Sequence, residues 1–123
     1  MKTNKQMTGD YAENIVMQIL QQKGLSLLAK NYSVPGLGEL DLVFQKGDVI
    51  YIVEVRSRKV SQHPEEESFF PFDPKKVLRL RSTSQYFLKD QKLSDKDIRL
   101  LGAWVLHDVQ GKIKGIRFLS LTE

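Results

Sequence analysis

The stretch GELDLVFQKGDVIYIVEVRSRK, residues 38–59, decides the fold of this chain. β-Branched and aromatic residues dominate it, Lys46-Gly47-Asp48 divides it, and the two halves read as strands over 39–45 and 49–58. Val49-Ile50-Tyr51-Ile52-Val53 is apolar on both faces, which places the second strand in the middle of a sheet. Side chains alternate along a strand, so Glu39 and Asp41 are expected on one face of the first, and Glu54, Arg56 and Arg58 on one face of the second. A connection over residues 46–49 sets Asp41 opposite Glu54; one over 46 and 47 sets Glu39 there instead. Either register gathers acids at roughly 5 Å between Cβ atoms. A three-residue connection without a bulge scatters them.

Ionised carboxylates brought together on half-buried strands repel and are costly to desolvate unless something positive lies between them. A divalent cation meets that need with oxygen ligands. Asp41 and Glu54 are the candidate metal ligands, with the Val55 carbonyl as a third donor. An acid on one strand and Glu-x-basic on the next suits metal-dependent phosphodiester chemistry, in which the basic residue, here Arg56, orients water or neutralises developing charge. The alternative for Glu54-x-Arg56-x-Arg58 is a strand face whose charges pair across the sheet.

The rest of the chain supports a domain around this pair. At 123 residues it fits a single domain over 1–123. It has no cysteine, which excludes disulfides, thiol nucleophiles and thiolate zinc sites. His63 and His107 stand in no metal-ligand spacing. No long apolar run suggests a membrane span or leader, so a soluble, cytoplasmic protein is expected. The net charge of +4 is compatible with a polyanion partner. Its distribution is more telling: Arg56, Arg58 and Lys59 flank the acids, and Lys75, Lys76, Arg79 and Arg81 follow within one helix. Of these, Arg58, Lys59, Lys75, Lys76 and Arg79 are the candidate nucleic-acid contacts, falling mainly on phosphate.

From Gly9 to Lys23 the residues Ala12, Ile15, Val16, Ile19 and Leu20 form one apolar helical stripe, with Thr8 as N-cap and Gly24 as the stop. Leu25 to Tyr32 reads as a short irregular strand. Lys59 to Phe72 reads as a flap whose aromatic end packs down on the body. Asp73-Pro74 opens a second helix carrying Val77, Leu80, Ser84, Phe87 and Leu88 on its inner face to about Lys89. Ile98 to His107 and Ile113 to Leu121 read as a closing pair of strands, with Trp104 and Phe118 in the core.

Taken together, Gly9-x-x-Ala12-Glu13, Asn31-Tyr32, Gly38-Glu39-Leu40-Asp41-Leu42, Val53-Glu54-Val55-Arg56-Ser57-Arg58 and Lys75-Lys76 resemble the YraN family of bacterial proteins. That family is similar to the archaeal Holliday junction resolvases and to the PD-(D/E)xK, or restriction-endonuclease-like, nucleases. The resemblance implies an α/β fold with an αβββαβ core, a central mixed sheet flanked by helices. It matches Glu13, Asp41 and Glu54 to the acidic positions of the nuclease site, and Arg58 to the basic residue after it. The superfamily pattern has lysine where this chain has Arg56. Lysine can give up a proton when desolvated and act as a base; arginine stays protonated and cannot.

The expected function is therefore a Mg²⁺- or Mn²⁺-dependent endonuclease on structured or branched DNA. Glu13, Asp41, Glu54 and Arg56 are its catalytic residues, and two-fold substrates suggest a homodimer. A non-catalytic nucleic-acid-binding protein that kept the nuclease fold is the alternative. An interaction protein with its acids locked in salt bridges is a further one.

Overall fold

A computed structural model describes residues 4–60 and 72–121, with side chains from residue 9 onward. The elements run α1 (Asn4–Gln22), β1 (Ser26–Val34), β2 (Gly38–Lys46), β3 (Val49–Lys59), α2 (Pro74–Asp90), β4 (Asp97–His107) and β5 (Ile113–Ser120). The five strands lie in the sheet in chain order. β1, β2 and β3 form an antiparallel meander, α2 carries the chain across to β4 parallel to β3, and β5 closes antiparallel to β4. The αβββαβ expectation is met with one strand added.

Each helix covers one face of the sheet. Ala12, Val16 and Leu20 of α1 pack with Leu42, Phe44, Val53, Val55, Ala103 and Val105. Leu80, Phe87 and Leu88 of α2 pack with Leu40, Val43, Ile50, Ile52 and Leu100. β3, apolar in both directions, is the central strand, as its sequence requires. α2 begins as expected: the Asp73 carboxylate accepts the Lys75 N–H at 2.8 Å and Pro74 occupies the first turn. Gly24, at φ +91°, ends α1 in the left-handed region that favours glycine.

Three sequence expectations are corrected. α1 starts at Asn4, so Thr8 lies inside the helix rather than capping it; Lys5, Gln6 and Met7 are good helix formers with no breaker among them. Phe118 is exposed on β5 at 38 %, since β5 is an edge strand and nothing among the described residues covers it there; Trp104, on β4, is buried as expected. The irregularity of the first strand is real, but the strand is longer than expected. Its register slips between Leu27 and Ala29, and Asn31 takes φ +54°. The flap falls on residues 61–71, outside the described residues. Its end, Phe72, is buried against Gly102, where a Cβ would stand 2.4 Å from the Phe72 ring. Only glycine permits that approach.

Candidate active site at the fork of the sheet

β2 and β3 start together and then separate. A tight turn at Gly47-Asp48 joins them, with Gly47 at φ +60°, and pairing runs from Lys46↔Val49 to Leu42↔Val53. Beyond that point β2 stays with β1 down to Gly38, and β3 stays with β4 as far as Lys59. The sheet is thus forked. Asp41 and Glu54 are the next residues in register, so the structure selects the alternative that sets Asp41 opposite Glu54.

Alternation also fails at this point. Leu42 belongs to the α1 face, whereas Leu40, two residues away, belongs to the α2 face. Regular pleating would hold both on one side, and with them Glu39 and Asp41 on the other. The strand therefore rotates at Asp41, opposite the left-handed Asn31 of β1. Instead of a main-chain carbonyl, the Asp41 carboxylate takes the N–H of Val55, at 2.9 Å. A side chain has replaced the missing rung of the ladder, and this holds the fork open with an acid in its throat.

Around Asp41 the carboxyls accumulate faster than their compensation. Burial, and then repulsion from Asp41, push Glu54 up to about 7, although Arg56 Nη1 stands 2.7 Å from Glu54 Oε1. One favourable contact with Arg56 does not outweigh desolvation and a second acid. Burial raises Asp41 too, against the pull of the Val55 N–H, Arg56 and a hydrogen bond with Glu54. The two carboxyls hydrogen-bond to one another, so the protonation of one is linked to that of the other. Glu13 reaches the fork from α1, close enough for the Asp41 charge to act on it. Burial and then the Asp41 charge push it up to about 7, and Lys30 of β1 partly offsets this. Its Oε1 is buried and has no hydrogen-bond partner.

Beside the fork, on the α2 face, lies a cleft of about 190 Å³. Glu54 and Arg56 of β3, Glu39 of β2, and Lys76 and Arg79 of α2 contribute its polar wall. Phe72, Val77, Leu80 and Leu121 contribute an apolar one. A Cβ at Gly38 would come within 2.6 Å of Thr83 Oγ1, so the glycine lets α2 press close against the start of β2.

Of the sequence candidates, Glu13, Asp41, Glu54 and Arg56 come together at the fork, and Lys76 and Arg79 line the cleft beside it. Lys75 is exposed outside the cleft, and Arg58 and Lys59 continue β3 beyond it. The positive end of α2 is answered by Asp73, so any grip on an anion falls to the side chains of Lys76 and Arg79. Sequence reasoning missed Lys30, whose Nζ donates to Asn14 Oδ1 at 2.9 Å. It also missed Thr83 and the apolar wall. The sign that could have found Thr83 is a small hydroxyl residue on the inner stripe of α2, facing a glycine.

Among the described residues, no three carboxylate or imidazole side chains are arranged as a ligand cage. The Asp41–Glu54 pair nevertheless fits a hard divalent cation. Its donors are all oxygens, they are half-buried and repel one another, and an unpartnered Glu13 oxygen lies in the same fork.

The chain was compared with known proteins. It is 33% identical over 92 residues to a UPF0102 protein of Neisseria meningitidis, covering 75% of this chain and 77% of the relative. It is 32% identical over 104 residues to one from Fervidobacterium nodosum, covering 84% and 74%. A further UPF0102 protein, from Sulfurovum, is 28% identical over 93 residues, covering 76% and 79%. The model described as "Uncharacterised protein family UPF0102" matches residues 12–114, a span that holds Glu13, Asp41, Glu54, Arg56, Lys76 and Arg79, and the chain belongs to that family, the YraN family that its motifs resemble.

Proposed function

We propose that the fork is the active centre of a Mg²⁺- or Mn²⁺-dependent endonuclease acting on structured or branched DNA, built on a restriction-endonuclease-like core. The observation that carries this reading is the Asp41–Glu54 pair at the point where β2 and β3 part, with Glu13 and Arg56 beside it.

Asp41 and Glu54 would hold the cation. Bound there, it supplies the positive charge that polarises a phosphodiester and makes a neighbouring water a better nucleophile. The Arg56 guanidinium binds a phosphate oxygen, stabilising the charge that develops during attack. It is not the base. Glu13 fits that task better: it reaches the fork from α1 and one of its oxygens has no protein partner, which places it to take up the proton of the attacking water. Lys76 and Arg79 hold the flanking phosphates, contacts that position DNA without reading its sequence.

One observation favours a second reading. The Val55 carbonyl, a candidate third donor, accepts Arg56 Nη1 at 3.3 Å, and the same Nη1 holds Glu54. Arg56 thus competes for the oxygens a cation needs. If Arg56 holds them permanently, the protein binds nucleic acid without cutting it.

Cleavage of labelled four-way-junction, flap, single-stranded and duplex DNA with Mg²⁺ and with Mn²⁺ separates the readings. The nuclease reading expects cleavage that falls by roughly 10³-fold in Asp41→Asn and in Glu54→Gln, the loss of several kcal/mol of charge stabilisation. Tight, steeply salt-dependent binding with no cleavage by any form sinks the nuclease and leaves the binding protein. No DNA affinity at low salt, with no uptake of Mn²⁺, sinks both.

A further inference from the structure

We propose that the cleft between α2 and the open end of the sheet is a subsite for one unpaired nucleobase, so that the substrate presents a single-stranded or extruded nucleotide beside the fork. This rests on the nucleic-acid reading above and specifies its substrate.

The size of the cleft comes first. An apolar cavity of about 150 Å³ takes one benzene molecule, and drug-sized ligands need roughly 300 Å³ or more. At about 190 Å³ this cleft has room for one planar heterocycle and none for a base pair. Its walls match the two sides of a nucleotide. Phe72, Val77, Leu80 and Leu121 offer an apolar surface to the faces of a base. Lys76, Arg79 and Arg56 line the same cleft and supply the positive charge that the phosphate of the same nucleotide would meet. Glu39 adds an acceptor for base N–H groups.

The position of the cleft completes the case. Glu54 and Arg56 belong both to the cleft and to the fork, so a base seated in one leaves its own phosphodiester at the other. The cleft is also well anchored. α2 is seated against Gly38, Leu121 is tied to β4 by its N–H to the Leu100 carbonyl at 2.8 Å, and Phe72 is fixed against Gly102. A duplex keeps its bases stacked inward and cannot fill such a pocket without extruding one of them at a cost of a few kcal/mol. A flap, a frayed junction or a single strand offers the base freely.

2-Aminopurine placed at one unpaired position of a flap, at the same position in a duplex, or replaced by an abasic residue tests this with Ca²⁺ in place of Mg²⁺. The subsite expects a several-fold rise in fluorescence on binding the flap and no rise with the duplex. It also expects roughly tenfold weaker binding of the abasic flap, in line with the value of one stacked base. Val77→Phe, which fills the cleft, should remove the rise and narrow the gap between base and abasic DNA. DNA that binds with silent 2-aminopurine and no abasic penalty overturns the subsite while leaving the nucleic-acid reading standing. Failure to bind any of the three DNAs overturns both.

Discussion

The two ends of the β2–β3 pair are made from the same strands and solve opposite problems. At the closed end, next to Gly47-Asp48, main chain bonds main chain, and Phe44, Ile50 and Ile52 are fully buried on one face or the other. The charges there stay near water and are paired: Lys96 Nζ meets Asp48 at 3.2 Å, with Asp48 89% exposed. At the open end a carboxylate stands in for a carbonyl, and three acids share one fork with Arg56 compensating Asp41 and Glu54 and Lys30 compensating Glu13. Glu54 is only 14% exposed. The closed end lowers the free energy of the fold. The open end raises it, and the closed end makes that affordable.

The largest expected effect lies at the closed end. Phe44→Ala should lose about 3–5 kcal/mol of stability, because it removes a fully buried ring from the α1 layer. Urea denaturation measures this, and a loss below 1 kcal/mol would show that the fold does not lean on that end.

Next comes the pH dependence of the metal-free protein, which probes the open end. Glu13 and Glu54 hold protons more tightly when folded, with carboxyls near 7 against the ordinary 4.5. Their contribution to stability is therefore fully present below the ordinary value and is lost as pH rises through about 7. Between about pH 4.5 and pH 8 the chain should lose roughly 3–4 kcal/mol from this source, most of it from Glu54, since solvent reaching Glu13 leaves that residue a small share. The double variant Glu13→Gln, Glu54→Gln should flatten the profile. A wild-type profile that rises with pH would mean the fork is not strained.

The smallest effect is expected from Lys96→Met, which removes a rim ion pair at the closed end. Thermal melting should register little or no loss, because solvent screens the pair. A larger loss would place unexpected weight on charge at that end and erase the contrast.

Much of this contrast was legible in the residues, and the boundary of legibility is instructive. Val49–Val53 announced a central strand because apolar character on both faces has no other home. Asp73-Pro74 announced a helix start because the cap and the fixed φ act locally. The meeting of Asp41 and Glu54 was one of the registers that counting allowed, and the pairing from Lys46↔Val49 onward selects it. The fork itself was not legible. Periodicity describes how a strand continues, whereas the end of pairing at Leu42↔Val53 depends on what β1 and β4 hold on either side. The half-turn at Asp41 is set by the same competition between neighbours. The exposure of Phe118 escaped for a similar reason: an aromatic in a strand pattern does not reveal that its strand lies at the sheet's edge. The cleft escaped because its walls come from residues far apart in the chain: Gly38, Phe72, Val77 and Leu121.

The bond between the Asp41 carboxylate and the Val55 amide gives the molecule its own reporter. Amide protons sense the charge of the oxygen they point to, so the Val55 resonance should follow the ionisation of Asp41 without any attached label. A cation that draws the carboxylate away would loosen that proton and speed its exchange with solvent. Occupancy of the fork is thus written into one backbone position, readable in the intact protein before any substrate is known.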